Sequence, residues 1–141
     1  MKEYKPSLQI GYLLKVVQHE IRKRMDRKLG DINLTTPQYA ALSSLYEFPG
    51  TSNAELARKC FITPQTMNLI IRKLEKRGII QKEQSPEHGR VQNIVLSEAG
   101  SKLLEKAHEI VFGIEAGLTS KLSEKDKEIL KDLLLRIDVD Y

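Results

Sequence analysis

Apolar residues near the middle of the chain recur at three- and four-residue steps, which is the spacing of one helix face. This apolar stripe consists of Met67, Ile70, Ile71 and Leu74. Thr63 and Pro64 precede it as a capping hydroxyl and a proline at the first helical position, so the pattern predicts a helix beginning at Pro64. Elsewhere on the helix lie the polar or cationic residues Gln65, Thr66, Asn68, Arg72, Lys73 and Lys76. We therefore expect one helix face in a core and another facing solvent.

A second, shorter helix is predicted just before this one. Ser52 and Glu55 have the spacing of a capping box, in which each side chain accepts a backbone N–H at a helix start, and they predict a helix over residues 53–60. Gly78 is predicted to end the longer helix in the left-handed conformation that glycine adopts without strain. Two helices joined by a tight turn are therefore expected here.

A β-hairpin is predicted directly after these helices. Residues 79–84 and 91–96 favour strands, and the intervening segment SPEHGR has the composition of a turn, with Arg90 near its tip. The order helix, turn, helix, strand, basic tip, strand is that of a winged helix-turn-helix.

Longer helices flank the winged segment. A helix is predicted over residues 7–29, with a first half that is apolar around more than one face. Another is predicted over residues 37–47, after a cap at Thr36. Beyond the hairpin, Ser97 caps a long helix and Ser123 opens a last one through a further capping box. The fold class is mainly α with a small β-hairpin wing.

The terminal helices contain more Leu, Ile and Val than a small winged domain can cover, and apolar surface of that extent marks an interface. We expect an N-terminal dimerisation helix in 1–34, a winged DNA-binding domain in 35–97 and C-terminal dimerisation helices in 98–141, in one compact chain without a flexible linker. A homodimer could place two helices in successive major grooves about 34 Å apart and bind an inverted repeat. The predicted dimerisation residues are Leu8, Ile10, Leu13, Leu14, Leu118, Leu122, Leu130, Leu133, Leu134 and Ile137.

Positive charge is concentrated in the winged segment. The 141-residue chain has a net charge of +4, whereas residues 58–90 contain eight Lys or Arg against three Glu, an excess of five. A polar, cationic helix suits the major groove of double-stranded DNA, and a hairpin arginine suits a narrow minor groove. The predicted DNA contacts are Pro64, Gln65, Thr66, Asn68, Arg72, Lys73, Lys76, His88 and Arg90.

Composition and motifs exclude several other classes. No apolar run approaches the roughly 20 residues that cross a bilayer, and the first residues lack the apolar core of a signal peptide, so we expect a cytoplasmic protein without a membrane partner. The single cysteine rules out an internal disulfide. No nucleophile elbow, phosphate loop or dinucleotide fingerprint is present, so neither catalysis nor a cofactor is expected.

Taken together, these residues resemble the MarR family of bacterial transcription regulators over essentially the whole chain. The matching stretches are LTTPQYAALSSL, SNAELARKCFITPQTMNLIIRKLEKRGII, SPEHGR and LSEAGSKLL. The resemblance implies an obligate homodimer that represses by occluding a promoter at a palindromic operator. It also implies relief of repression by an aromatic ligand, a metal or thiol oxidation.

The resemblance also implies roles for individual residues. The groove-facing side of the second winged helix would carry Pro64, Gln65, Thr66, Asn68, Arg72 and Lys73, and Arg90 would be the wing-tip arginine. Leu69 departs from the family pattern, because many relatives have a polar or basic residue there. Glu87 stands near Arg90 where relatives often have an aspartate before the arginine.

The signal to which the protein responds is open at this stage. A pocket for an aromatic ligand is predicted near Tyr12, His19, Tyr39, Tyr46, His108 and Phe112. The three histidines have no second ligand at metal-site spacing, so no metal site is predicted. Cys60 lies near a helix C-terminus and favours an inert thiol over a redox sensor. The alternatives are a thiol- or metal-responsive regulator and a winged protein-interaction module.

Overall fold

The structure is a computed structural model that describes residues 5–84 and 92–140. A short 3₁₀ turn, Pro6–Leu8, precedes six α-helices and one two-stranded antiparallel sheet in the described residues. In chain order the elements are α1 (Ile10–Gly30), α2 (Thr36–Glu47), α3 (Asn53–Lys59), α4 (Pro64–Lys76), β1 (Ile80–Gln84), β2 (Gln92–Leu96), α5 (Glu98–Leu118) and α6 (Glu124–Leu135). The predicted fold class, mainly α with a hairpin wing, is confirmed.

The helix-turn-helix consists of α3, a tight turn and α4. The Ser52 hydroxyl accepts the backbone N–H of Glu55 at 3.3 Å and caps α3, which is one half of the predicted capping box. The helix ends at Lys59, one residue earlier than predicted, and Cys60 follows it as the C-terminal cap. Phe61 then adopts a left-handed conformation with φ of +57°, which reverses the chain into α4.

The start of α2 differs from the prediction by one residue. Thr35, and not Thr36, is the cap: its hydroxyl accepts the N–H of Gln38, while the Gln38 side chain accepts the N–H of Thr35. The Thr36 hydroxyl instead donates to Asp26 on α1 at 2.6 Å. Thr35 and Gln38 have the spacing of a capping box, so the cap lies one residue earlier than the threonine-proline pair predicted.

The outer helices also differ in their limits. The predicted helix over residues 7–29 is divided at Gln9, whose extended backbone (φ −69°, ψ +139°) separates the 3₁₀ turn from α1. Helix α5 ends at Leu118, so the predicted dimerisation residue Leu122 lies in the connection to α6. The predicted capping box of α6, formed by Ser123 and Asp126, is present in both directions.

At the base of the hairpin, Ile80 pairs with Leu96. Gly78, which follows the end of α4, has a φ of +71°, the left-handed conformation predicted from the sequence. Strand β1 begins at Ile80, one residue later than predicted. The hairpin tip lies outside the described residues, and with it lie the predicted contacts His88 and Arg90. The Ser97 hydroxyl caps α5 and also donates to the Ile79 carbonyl, which fixes the start of α5 against the hairpin base.

One hydrophobic core connects α1, α2, α3, α4, β1, β2 and α5. It contains Met25, Leu29, Leu34, Ala41, Leu42, Leu45, Leu56, Ala57, Met67, Ile70, Ile71, Leu74, Ile79, Ile80, Ile94, Leu104, Ala107 and Ile114. All three predicted segments contribute to this core, and their boundaries at residues 34 and 97 stay a prediction. No helix in the described ranges is long and apolar enough to cross a membrane.

Candidate nucleic-acid interface

Helix α4 separates an apolar face from a polar one. The four stripe residues Met67, Ile70, Ile71 and Leu74 are all buried, as predicted. At the helix start, the Thr63 hydroxyl accepts the backbone N–H of Thr66 at 3.2 Å, and Pro64 occupies the first turn. The stripe fixes the rotation of α4 about its axis, so the opposite face projects away from the core.

The exposed face of α4 carries every predicted contact on this helix: Pro64, Gln65, Thr66, Asn68, Arg72, Lys73 and Lys76. Arg72, Lys73 and Lys76 form no ion pair within the part of the chain that the structure describes, so their charges are available to an anionic partner. Arg77 has a different role, because it donates to the backbone carbonyl of Asn33 at 2.8 Å.

A small polar cleft adjoins this face and was not predicted from the sequence. It has a volume of about 190 Å³ and is lined by Asn53, Asn68, Ile71, Arg72, Lys82 and Ile94. The Asn53 amide donates to the Pro64 carbonyl at 3.5 Å, while its oxygen is buried without a partner among the described residues. Lys82 contributes a cation 3.4 Å from Glu75. Spacing along one element gave no signal for this cleft, because its residues come from α3, α4 and both strands.

Four of the predicted pocket residues meet between α2 and α5. His108 stacks on Phe112 with ring centroids 5.7 Å apart, and the rings of Tyr39 and Tyr46 approach His108 edge-on. The Tyr39 hydroxyl lies 3.1 Å from Nδ1 of His108. Tyr46 and Phe112 are exposed, so this aromatic cluster opens to the surface.

The other two predicted pocket residues lie apart from the aromatic cluster. Tyr12 and His19 are exposed on α1, and no ring contact or hydrogen bond joins either of them to the cluster within residues 5–84 and 92–140. The described residues also contain no group of three His, Cys, Asp or Glu side chains that could hold a metal ion.

Cys60 is partly buried at the C-terminal end of α3. Burial raises the pKa of its thiol, and a hydrogen bond from the Ser44 side chain acts in the opposite direction with the smaller effect. A raised pKa leaves less of the reactive thiolate at neutral pH. This environment favours the inert thiol expected from the sequence.

The predicted dimerisation residues form an exposed apolar surface at both ends of the chain. Nine of the ten are exposed, and Leu118 alone is partly buried against the core. No described residue of α6 is buried. A groove of about 290 Å³ between α5 and α6 joins this surface to the aromatic cluster through Phe112, and its apolar walls include Ala116, Leu130 and Leu134.

The fold, with an exposed cationic helix in a helix-turn-helix and a hairpin wing, defines a winged helix-turn-helix transcription regulator. A family model described as MarR family matches residues 34–91. The HTH-type transcriptional repressor Rv2887 of Mycobacterium tuberculosis strain H37Rv is 33% identical over 131 residues, which are 93% of this chain and 94% of the relative. The chain belongs to the MarR family, and it is a transcription regulator and not an enzyme.

Solved structures extend the similarity over the whole fold. The M. tuberculosis MarR family protein Rv2887 in complex with salicylic acid has a TM-score of 0.80 and 31% identity, covering 98% of this chain and all of that one. Rv2887 in complex with DNA has a TM-score of 0.79 and 30% identity, covering 93% and 98% respectively. The resemblance drawn from the sequence is thereby confirmed.

Proposed function

We propose that the protein is a homodimeric repressor that occludes a promoter by binding an inverted-repeat operator. The single observation that carries the proposal is the face of α4 described above, where seven polar, cationic or proline residues lie exposed opposite four buried ones. The three cations on that face suit a phosphate backbone, and Gln65 and Asn68 suit base edges in the major groove. The relative with a known DNA complex has the same fold.

Dimerisation accounts for the exposed apolar surface at the chain ends. More than two-fifths of the surface is exposed for each of four leucines, Leu13 and Leu14 on α1 and Leu130 and Leu133 on α6. A second copy of the chain would bury this apolar surface. Two-fold symmetry presents the same patch on both partners and positions two α4 helices against two half-sites. The hairpin tips, with Arg90, would reach the flanking minor grooves.

Binding to the upstream promoter region of its own gene tests the proposal. The purified protein is titrated against that duplex and a scrambled one over a salt series, with size measured for each complex. Tight binding at two chains per site and a large preference for the promoter duplex are expected. Equal, weak binding to both duplexes, together with no bound sequence recovered from a random-sequence pool, would contradict the proposal and favour a protein-interaction module.

Variants separate contacts with phosphates from contacts with bases. Arg72→Ala is expected to lower the log-log salt slope by about 0.9 for each phosphate that the arginine neutralises, and Lys102→Ala, which removes a cation from α5, serves as the matched control. Gln65→Ala or Asn68→Ala is expected to cost roughly 1–3 kcal/mol on the operator and much less on random DNA.

The aromatic cluster is the proposed site for the signal molecule. Its stacked and edge-on rings suit a planar aromatic ligand, and a salicylic acid complex is known for a relative of the same fold. Titration with salicylate is expected to release the operator, and His108→Ala is expected to abolish that release while leaving operator binding of the unliganded protein intact. Release that persists in His108→Ala would locate the ligand elsewhere.

The proposed location of the regulator is the cytoplasm, where its DNA lies.

A further inference from the structure

Leu69 is an exposed apolar residue at the centre of the polar face of α4. Its side chain is 58% exposed, whereas the other apolar residues from Met67 to Leu74 are at most 9% exposed. Met67 lies two positions before it and Leu74 five positions after it, so each projects from nearly the opposite side of the helix. Leu69 therefore has no place in the core.

The neighbours of Leu69 on the helix surface are the proposed DNA contacts. One ridge runs along the exposed face at four-, three- and four-residue steps, and it consists of Gln65, Leu69, Arg72 and Lys76. Any groove that receives Gln65 and Arg72 must also receive Leu69, because it lies between them. Binding therefore removes its exposed surface from water, whatever lies opposite.

The chemistry of the major groove determines what can lie opposite. Its base edges present hydrogen-bond donors and acceptors, and the single apolar group among them is the 5-methyl group of thymine. A leucine can satisfy no donor or acceptor, so facing any other edge would desolvate a polar group without replacing its hydrogen bond. Contact with a methyl group carries no such cost.

We propose that Leu69 contacts the 5-methyl group of one thymine in each operator half-site and thereby selects an A·T pair at that position. This inference rests on the proposed function and assigns to Leu69 a part of the sequence specificity with which the protein binds its operator. The contact is apolar and independent of salt, unlike the contacts of Arg72 and Lys76 beside it.

Replacement of thymine by uracil tests the proposal, because it removes the methyl group and leaves the base-pairing edge unchanged. An operator is first obtained by selecting bound duplexes from a random-sequence pool. Each thymine of one half-site is then replaced by uracil, together with its symmetry mate, and affinities are measured for the wild type, Leu69→Ala and Leu69→Met. Far-UV circular dichroism and melting temperature verify that the variants are folded.

At one thymine per half-site, uracil is expected to weaken wild-type binding about fourfold for each methyl group removed. At that position Leu69→Ala is expected to bind the thymine and uracil duplexes equally, while Leu69→Met keeps the preference because its side chain is also apolar. A duplex with cytosine in place of this thymine also lacks the methyl group. Replacing that cytosine by 5-methylcytosine should recover part of the affinity of the wild-type protein.

Three results would overturn the assignment. A uracil series in which wild type and Leu69→Ala respond alike at every position would show that Leu69 meets no methyl group. An equal loss for Leu69→Ala on operator and scrambled DNA would make it a general contact. A pool that yields no preferred sequence would refute the proposed function, and with it this role of Leu69.

Discussion

The hydroxyl oxygen of Tyr39 lies 3.1 Å from Nδ1 of His108, which joins α2 to α5 through side chains 69 positions apart. This hydrogen bond and the edge-on contact of the two rings orient His108 against Phe112. It is a partly buried link between the helix that precedes the helix-turn-helix and the long helix that leads towards the chain end. Its loss should therefore affect both stability and the proposed ligand site.

Tyr39→Phe removes this hydrogen bond and keeps the ring. We expect the free energy of unfolding to fall by about 1 kcal/mol, measured by urea denaturation. Tyr46→Phe is the matched control, because its ring also contacts His108 edge-on but its hydroxyl forms no hydrogen bond with the described residues. Equal losses in the two variants would mean that the Tyr39–His108 bond does not contribute to stability.

Gly100 on α5 lies directly against the backbone of Ile79, and a Cβ atom at residue 100 would overlap the Ile79 carbonyl oxygen. Gly100→Ala is therefore expected to lower the free energy of unfolding by about 2 kcal/mol or more, because backbone must shift to admit a methyl group. Gly113→Ala, in the same helix with open space around it, is expected to raise stability by roughly 0.5–1 kcal/mol. Chemical denaturation measures the free energy of unfolding of both variants. A Gly100→Ala variant as stable as the wild type would contradict the close packing.

Phe61 has a left-handed backbone with φ of +57° and a side chain that is 87% exposed. The conformation costs energy for any residue with a Cβ, and exposure means that the ring gains little from burial. Phe61→Gly is expected to be more stable than Phe61→Ala by about 1 kcal/mol, since only glycine removes the strain. Thermal unfolding of the two variants measures the difference, and a more stable alanine variant would show that the turn is unstrained.

The Cys60 thiol should react slowly with iodoacetamide near neutral pH, because burial raises its pKa and lowers the thiolate fraction. Ser44→Ala removes the hydrogen bond that lowers this pKa, so alkylation should become slower still. Ser43→Ala is the neighbouring control: the Ser43 hydroxyl is buried without a partner in the described structure, and its removal should leave the rate unchanged. Faster alkylation in the folded wild type than in urea would contradict an inert thiol.

Hydrogen bonds from Lys23 and Arg24, each at 2.8 Å, lower the pKa of Glu20 from 4.5 to about 2. A carboxyl with a lowered folded-state pKa stabilises the folded protein above pH 4.5, and this contribution disappears as pH falls from 4.5 to about 2. The difference in unfolding free energy between wild type and Glu20→Gln should shrink over that interval. A difference that is independent of pH, or a titration of the carboxyl by NMR near its ordinary value, would contradict the ion-pair geometry.

The sequence by itself determined the elements and the orientation of α4. Caps at Ser52, Thr63, Ser97 and Ser123 and the left-handed Gly78 are local signals, since each depends on a few neighbouring residues. The buried stripe of α4 follows from helical periodicity alone, and it fixed which side chains would face solvent. The resemblance to the MarR family then indicated the partners, which are operator DNA and a second copy of the chain.

The tertiary structure decided what depends on distant residues. The Thr36 hydroxyl donates to Asp26 on α1, ten residues away, and the local pattern at the start of α2 gave no sign of this contact. The contact of Tyr39 with His108, the cleft containing Asn53 and Lys82, and the close approach of Gly100 to Ile79 all join separate elements. Such contacts arise because one core fixes these helices against one another, whereas periodicity describes each helix separately.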